Sequence, residues 1–367
     1  MPESRFAARL AAVGQHASDV GVDAVLVTPG PDLRYLVGYD AVPLERLTCL
    51  VVPVRGPASM VVPGLERLAA LASPVGRLGL TLHAWGETDN PYALVASLLP
   101  DARTVAVDDH MWAQKVLALR TAMPGAEQVL GGPILAARRM RKDPDEVAAL
   151  MAAGAAIDRV HERVSTWLRA GRTEREVAGD IAEAIIDEGH VRVDFIIVGS
   201  GPNGASPHHE VSDRVIEPGD IVVVDIGGTM PDGYRSDCTR TYAIGRPSSD
   251  FADSYAVLKQ AQAAAVAHAR AGVTCESVDD AARSVLSDAG LGEQFIHRTG
   301  HGIGLETHEE PYIVTGNRLM LEAGMAFSIE PGFYSEGRFG ARIEDIVIAT
   351  EDGVVIANNT TRDLVIA

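Results

Sequence analysis

The first part of the chain, residues 1–132, alternates short apolar runs with segments whose apolar residues recur at helical spacing. Phe6, Leu10 and Val13 mark the first helix, and Gly21 is suited to end it. Strands are predicted at 23–28, 47–54, 58–62, 78–82 and 103–107. Further helices are predicted near 64–72, 91–99 and 111–119. The pattern therefore predicts a small α/β domain, followed by a link near 131–133.

The second part, residues 133–367, begins with the helix signal Asp143-Pro144-Asp145-Glu146. One apolar face of this helix is marked by Val147, Leu150, Met151, Ile157, Val160, Val164 and Leu168. Thr173 and Glu176 form a second capping box, and the helix that they start is predicted to end near Gly189. Strands are predicted next, at 194–198, 220–226 and 238–244.

The same order of elements then recurs along the chain. Helices fit 250–271 and 276–289, and strands follow near 325–330 and 341–349. The second part is therefore predicted to be an α+β domain of two halves, each with two helices followed by strands.

Each half also places two acidic residues on a pair of strands. Asp225 and Asp237 are 12 residues apart, and Glu330 and Glu344 are 14 residues apart. Both separations suit facing positions on adjacent antiparallel strands. Folding the two halves together would bring four carboxylates to one point.

The acids interrupt apolar strands, where an unpaired carboxylate is costly. A hydrogen-bonded buried aspartate would explain Asp225 alone, but Glu330 repeats the anomaly at the end of a second strand. Side-chain alternation puts Glu344 and Asp345 on opposite faces. We assign Glu344 to the site and expect Asp345 to form a salt bridge or a cap. Cys238 is expected to point away from the site for the same reason.

The stretch HRTGHGIGLETHEEP, residues 297–311, supplies three histidines among glycines. Glycines allow close approach of the backbone, as a crowded site requires. A phosphate-binding loop is disfavoured, because no Lys-Ser or Lys-Thr pair and no helix follow. One imidazole with four carboxylates describes an oxygen-rich metal site suited to Mn²⁺, Co²⁺ or Zn²⁺. The stretch SGPNGASPHHE adds His208 and His209 in a loop after a strand of the first half.

Composition narrows the class of protein. The net charge of −18 disfavours a nucleic-acid partner, since phosphate binding needs a basic face. No stretch is apolar enough for a membrane helix, and the start MPESRFAARL has no apolar segment of a secretory signal. The three cysteines, Cys49, Cys238 and Cys275, suit a reducing compartment. We therefore expect a cytoplasmic protein.

These stretches together resemble the signature of the pita-bread metallopeptidases (family M24), which include methionine aminopeptidase, aminopeptidase P and prolidase. The resemblance covers roughly residues 135–367, and it rests on the order Asp, Asp, His, Glu, Glu with these neighbours. VLVTPGPDLRYLVGY and the β-rich stretch after it resemble the amino-terminal domain of prolidases, aminopeptidases P and creatinase. The resemblance implies a pita-bread catalytic domain, 133–367, after a smaller α/β creatinase-like domain, 1–132.

The resemblance implies a role for each matching residue. Asp225 would bind one metal ion, His301 and Glu330 the other, and Asp237 and Glu344 would bridge them. Four further residues match functional positions of the family. Catalytic roles are implied for His208 and His308, and also for the metal ligand Glu330. Substrate contacts are implied for His297 and Arg342. His209 matches such a position less well than His208.

The loop between Asp225 and Asp237 departs from the pattern. It is one residue longer than in many relatives, with MPDG where a tighter turn is expected. A β-bulge would restore the register. Without a bulge, the bridging role of Asp237 would be in doubt.

The resemblance implies metal-dependent hydrolysis of the Xaa-Pro bond of short peptides with two divalent ions, manganese first and cobalt or zinc as alternatives. A dipeptidase (prolidase) is favoured by the compact chain and by GLETHEEP, and an aminopeptidase P is the alternative. Arg342 is a candidate for binding the substrate carboxylate. A creatinase-like hydrolase without metal and a metal-free binding protein are remote alternatives, because all five ligands are present. The family also implies a homodimer in which the first domain of one subunit borders the site of the other.

Overall fold

The apolar runs of the first part form one six-stranded sheet in the computed structural model, which describes residues 3–367. Its strands are β1 (Ala24–Val27), β2 (Cys49–Pro53), β3 (Ser59–Pro63), β4 (Thr81–Trp85), β5 (Thr104–Val107) and β6 (Glu127–Leu130). The order across the sheet is β4-β3-β2-β1-β5-β6. β1, β5 and β6 are parallel, as are β3 and β4, whereas β2 is antiparallel to both of its neighbours.

Helices connect these strands. They are α1 (Glu3–Asp19), α2 (Pro31–Val37), α3 (Arg67–Ala72), α4 (Pro91–Ser97), α5 (Ala113–Ala122) and α6 (Gly132–Arg139). One apolar core packs against the sheet through residues such as Leu26, Val51 and Val61. The α/β character predicted for this part is therefore observed.

Three details of the first part differ from the predicted elements. β4 begins at Thr81, because a 3-10 turn at Pro74–Arg77 and the left-handed Gly79 (φ 69°) precede it. β6 was not predicted, since EQVL is a short edge strand without an apolar run. The stretch predicted as a link is the start of α6, with Pro133 in the first turn, where a proline is tolerated. The chain divides into two compact units at Arg139/Met140.

The second unit, Met140–Ala367, contains the four long helices that the sequence predicts. They are α7 (Pro144–Trp167), α8 (Glu174–Asp187), α9 (Ser249–His268) and α10 (Cys275–Asp288). Asp143 and Thr173 cap α7 and α8 in the predicted capping boxes. None of the helices within residues 3–367 is long and apolar enough to cross a membrane.

The strands of the second unit form two main sheets and a hairpin. They are β7 (Arg192–Ser200), β8 (Ile221–Thr229), β9 (Cys238–Ala243), β10 (Gly300–Gly302), β11 (Glu309–Ile313), β12 (Ala326–Ile329), β13 (Gly332–Ser335), β14 (Phe339–Arg342), β15 (Asp345–Ala349), β16 (Val354–Ile356) and β17 (Val365–Ile366). The first sheet has the order β17-β9-β8-β7, and the second has the order β11-β10-β12-β15-β16. β13 and β14 form the hairpin.

The predicted strand 341–349 is two strands. β14 ends at Arg342 and β15 begins at Asp345, in different sheets. Between them, the backbone N–H of Glu344 donates to the carbonyl of Thr239 on β9 at 3.1 Å. The chain therefore leaves the β13–β14 hairpin and enters the second sheet at Glu344. Apolar periodicity does not report such a change, because both strands are buried and read as one run.

The register of β8 and β9 differs from the predicted one. Asp225 lies directly opposite Thr239, so Asp237 is offset from Asp225 by two residues along the neighbouring strand. The same register continues to the bridge between Thr229 and Arg235 without a bulge. The additional residue is accommodated in the turn Met230–Tyr234, where the N–H of Met230 donates to the carbonyl of Tyr234. The proposed β-bulge at this point is therefore wrong, and Asp237 does not need it, because the unbroken register already places this residue on the same face of the sheet as Asp225.

Candidate metal centre

Two acids of the first half lie on one face of the β8–β9 ribbon. Asp225 is in the middle of β8, and Asp237 directly precedes β9. A residue and its diagonal neighbour two positions along the partner strand share a face of a sheet. Both carboxylates are therefore directed to the same side, although the two residues do not face each other directly.

The acids of the second half follow the predicted arrangement more closely. β12 and β15 pair Ile329 with Asp345, and the same register continued by one step places Glu330 opposite Glu344. Glu344 is buried and its Oε2 accepts a hydrogen bond from the Thr239 hydroxyl at 2.7 Å. Asp345 points away and forms an ion pair with Arg240 at 2.8 Å, which confirms the expected salt bridge.

His301 lies on β10 next to these acids. Its Nε2 is 3.2 Å from Oε1 of Glu330 and 3.7 Å from Oδ2 of Asp237. Nδ1 donates to the carbonyl of Gly302 at 3.1 Å, so Nε2 is the nitrogen available as a ligand. A Cβ on Gly300 would lie 1.8 Å from the carbonyl oxygen of Ser328, so glycine is required for this close approach of β10 to β12.

One ligand atom from each of Asp237, His301 and Glu344 lies within 4.8 Å of the others. Burial and the negative charges of Asp225 and Glu330 raise the pKa of Asp237 well above its usual range. Burial and the charge of Asp237 do the same to the pKa of Glu344. Burial opposes ionisation of Glu330 too, but its contact with the His301 ring, together with the nearby His297 and Arg342, outweighs that effect and lowers its pKa. A divalent cation would neutralise this excess of buried negative charge.

The hydrogen bonding of Asp225 is a second indication that this cluster binds a cation. Its Oδ2 accepts a hydrogen bond from Nη2 of Arg342 at 2.6 Å, whereas its buried Oδ1 has no hydrogen-bond partner within residues 3–367. A buried polar atom without a partner is rare and requires an explanation. The orphaned oxygen, the clustered acids and one neutral imidazole fit divalent metal ions such as Mn²⁺, Co²⁺ or Zn²⁺.

The centre opens into a pocket of about 1070 Å³. Apolar side chains, among them Phe195, Ile196 and Ile296, line one part of this pocket. The predicted histidines His208, His297 and His308 line the same pocket together with Arg342. The structure therefore brings every predicted site residue into one place.

The histidines differ in their surroundings. His308 lies with its ring centroid 4.1 Å from that of His301, and burial, together with the nearby His301 ring and the charge of Arg298, lowers its pKa to about 4. His297 is held at both nitrogens: Nδ1 donates to the carbonyl of Arg298 at 2.7 Å, and Nε2 accepts from the Tyr334 hydroxyl at 2.9 Å. Burial lowers the pKa of His297. His208 is exposed and has no hydrogen-bond partner within the described residues.

Sequence comparisons decide the family of the chain. Residues 148–351 match the model of metallopeptidase family M24, and residues 9–141 match the creatinase/prolidase N-terminal domain. The chain belongs to metallopeptidase family M24. It is therefore an enzyme of the pita-bread fold with a creatinase-type amino-terminal domain, as the sequence predicts.

Curated relatives and a solved structure agree with the M24 assignment. A probable dipeptidase PepE of Mycobacterium tuberculosis (strain H37Rv) is 55% identical over 98% of this chain and 96% of its own length. An Xaa-Pro dipeptidase of Lactobacillus helveticus is 36% identical over 95% of this chain and 96% of its own length. The crystal structure of dipeptidase PepE from Mycobacterium ulcerans has a TM-score of 0.96 at 54% identity and covers 100% of this chain and 99% of that one.

Two residues of this M24 centre, Tyr334 and Thr239, were not predicted from the sequence. Tyr334 accepts a hydrogen bond from Nη1 of Arg342 at 2.6 Å and donates to His297, and Thr239 accepts from Nε of Arg342 at 3.1 Å. Arg342 is thus buried with all three of its nitrogens bonded to protein. Tyr334 lies in FSIEPGFY, four residues after Glu330, so its place in the stretch was the only available signal.

Proposed function

We propose that this M24 metallopeptidase hydrolyses the bond between the two residues of Xaa-Pro dipeptides. The observation that carries the proposal is the buried group of Asp237, His301 and Glu344 beside the orphaned Oδ1 of Asp225, at the base of a pocket. The names of the relatives support the substrate class: two are dipeptidases named PepE, and one is an Xaa-Pro dipeptidase.

Five residues are proposed to hold two divalent metal ions. Asp225 would bind one ion, His301 and Glu330 the other, and Asp237 and Glu344 both, as the family pattern implies. The distances of 3.2 and 3.7 Å between Nε2 of His301 and the neighbouring carboxylates support a shared site. Manganese is proposed first, because carboxylate oxygens dominate the set of ligands.

Bound divalent ions lower the pKa of water and polarise a peptide carbonyl. The carboxylate of Glu330 is proposed to accept the proton of the attacking water and to return it to the leaving nitrogen. Its position supports this role, because the carboxylate lines the pocket and its Oε1 lies 3.2 Å from Nε2 of His301. His208, which lines the pocket without a partner in residues 3–367, is proposed to donate to the developing oxyanion. His308 is placed to contact the peptide near the scissile bond.

A dipeptidase must also bind the free carboxylate of its substrate. Arg342 does not provide a free guanidinium, since its donors are bonded to Asp225, Tyr334 and Thr239. Arg298 provides a free guanidinium, because it lines the pocket and forms no ion pair in the part of the chain described. Its guanidinium carbon lies 4.4 Å from the centre of the Tyr312 ring. We therefore propose Arg298 as the residue that binds the terminal carboxylate, through charge-assisted hydrogen bonds.

An Xaa-Pro aminopeptidase acting on longer peptides is the second candidate. The pocket volume of about 1070 Å³ would admit more than two residues, so charge rather than size would select dipeptides. Hydrolysis of Ala-Pro or Leu-Pro beside Ala-Pro-Ala, with Mn²⁺ and with a chelator, tests the choice. Chelator-sensitive cleavage of the dipeptides alone is expected. Cleavage mainly of the tripeptide would establish the aminopeptidase, and cleavage of neither by metal-loaded protein would reject proline specificity.

The resemblance to the family also suggests the substrates and the oligomeric state. Short proline-containing peptides in the cytoplasm are the expected substrates. A homodimer is the expected assembly, and sedimentation velocity at micromolar concentration would test it. A species with the mass of one chain would contradict the dimer.

A further inference from the structure

Glu174, the first residue of α8, is fully buried and binds the loop that carries His208. Its Oε1 accepts hydrogen bonds from the backbone N–H of Ser200 at 2.8 Å and from the Ser200 hydroxyl at 2.7 Å. Its Oε2 accepts from Nε2 of His209 at 2.8 Å and from the Ser212 hydroxyl at 2.6 Å. The N–H of Ser212 and the amide of Asn203 add longer bonds. One carboxylate therefore contacts the start, the middle and the end of residues 200–212.

This arrangement needs a charge rather than a neutral polar group. A buried carboxylate is costly unless donors surround it, and here every contact of Glu174 within this loop comes from a donor. Burial opposes its ionisation, but the hydrogen bonds from Ser212, Ser200 and His209 outweigh burial, so the pKa of Glu174 is lowered. The loop itself has little regular structure besides a short 3-10 turn at Gly201–Ala205. Its shape therefore depends on these bonds.

The opposite side of the loop is held by the metal centre. Nη2 of Arg342, the same nitrogen that donates to Asp225, also donates to the carbonyl of Pro207 at 3.3 Å. A Cβ on Gly340 would lie 2.0 Å from the carbonyl oxygen of Gly204, so the loop also packs tightly on β14. His208 is thus between two fixed neighbours, Pro207 on the Arg342 side and His209 on the Glu174 side.

We propose that Glu174 is a positioning residue that holds the imidazole of His208 in place for the reaction, by fixing His209 and both ends of its loop. The proposal rests on the catalytic role of His208 proposed above. Glu174 does not touch the pocket itself, because it is absent from the pocket lining and fully buried. Its effect must therefore pass through the loop.

The first test is the kinetics of Glu174→Gln with Ala-Pro as substrate and Mn²⁺ bound. The substitution keeps the size of the side chain but places an NH₂ group against donors, so the loop loses its fixed shape. A misplacement of about 1 Å can reduce a rate by about 100-fold. We expect kcat to fall by about 10- to 100-fold, with KM changed less than about threefold and metal content unchanged. Glu174→Asp retains the charge and is expected to restore part of kcat.

Glu176→Gln is the matched control. Glu176 lies in the same first turn of α8, is exposed and only caps Thr173. Glutamine can still cap Thr173 through its side-chain oxygen but lacks the charge, so the substitution should perturb the start of the helix only slightly and leave kcat within twofold of the wild type. A loss of kcat in this control equal to that of Glu174→Gln would show a general effect of a loosened helix and would overturn the proposal.

A double-mutant cycle with His208→Ala separates the proposal from the function on which it rests. If Glu174 acts through His208, Glu174→Gln changes kcat by less than twofold once His208 is alanine. If Glu174→Gln lowers kcat by the same factor in the wild type and in His208→Ala, the positioning role is overturned. A normal kcat of Glu174→Gln in the wild-type background also overturns it. A normal kcat of His208→Ala would instead reject the catalytic role of His208 and the proposal with it.

If Glu174→Gln does not fold, His209→Ala replaces it as the test variant. The expected loss of kcat is about tenfold, and an unchanged kcat would overturn the proposal.

Discussion

Arg342 and Asp225 form a buried ion pair in which Nη2 donates to Oδ2 at 2.6 Å and leaves Oδ1 without a partner in the described chain. The pair holds the Asp225 carboxylate by one oxygen and leaves the other available to a cation. The same guanidinium reaches Tyr334 and Thr239. Arg342 therefore supports the centre through several contacts at once.

Substitution of Arg342 by lysine is expected to weaken metal binding. An ammonium group cannot replace the fixed fork of a guanidinium, so Asp225 and Tyr334 would lose their common donor. Loss of such a supporting contact costs about 10- to 100-fold in metal affinity. Titration of Mn²⁺ by calorimetry would measure the change. Arg318→Lys, at a side chain 86% exposed, is the control, and equal affinity of both variants would contradict the prediction.

Substitution of Glu344 by glutamine is expected to abolish bound metal and activity together. The substitution also removes an ionisable group from a crowded buried cluster, in which burial and the neighbouring carboxylates raise the pKa of Asp237 and Glu344. The metal-free variant should therefore unfold at a temperature no lower than the metal-free wild type. Metal analysis, peptide hydrolysis and calorimetry would measure these effects, with exposed Glu351→Gln as the control. Full activity of Glu344→Gln would remove this residue from the centre.

Substitution of Arg298 by leucine is expected to affect only substrates with a free carboxylate. A charge-assisted hydrogen bond contributes about 1.5–3 kcal/mol, which corresponds to a decrease of about 10- to 160-fold in kcat/KM for Ala-Pro. The amide of Ala-Pro should be hydrolysed with kcat/KM within about threefold of the wild type. Arg338→Leu is a matched control, because Arg338 also lies over an aromatic ring, that of Phe339, outside the pocket lining. Equal losses for both substrates would reject Arg298 as the carboxylate ligand.

His161 is expected to make stability depend on pH. Its Nε2 donates to the carbonyl of Cys238 and its Nδ1 accepts from the Tyr242 hydroxyl, and burial lowers its pKa to about 3. An unfolded histidine has a pKa near 6.5, so between about 6.5 and 3 the unfolded chain binds a proton that the folded chain does not. This contribution to stability is complete above about pH 6.5 and is lost as the pH falls.

The wild type should therefore lose about 1 kcal/mol more than His161→Gln between about pH 6.5 and 5.5. Urea unfolding followed by circular dichroism would measure the difference. Glutamine can still donate to Cys238, so the variant is expected to fold. Parallel pH curves of the two proteins would show that His161 does not titrate in this way.

The positions of the metal-site residues could be inferred from the sequence, because a carboxylate within an apolar strand is anomalous wherever the strand lies. Asp225 and Glu330 carry that signal, and the glycine-flanked His301 adds to it. The order of helices and strands in each half could also be predicted, since capping boxes and apolar periodicity are local. Side-chain alternation alone correctly predicted that Asp345 points away from the centre.

Tertiary structure alone decided how these residues meet. The register that puts Asp225 opposite Thr239 depends on the turn at Met230–Tyr234, and the break at Glu344 depends on a change of sheet. Burial is also a property of the whole fold. Glu174 reads as an ordinary acid in the first turn of a helix, yet it is fully buried among donors from residues 200–212. Sequence patterns report local periodicity, whereas hydrogen bonds between distant segments form only after the segments pack.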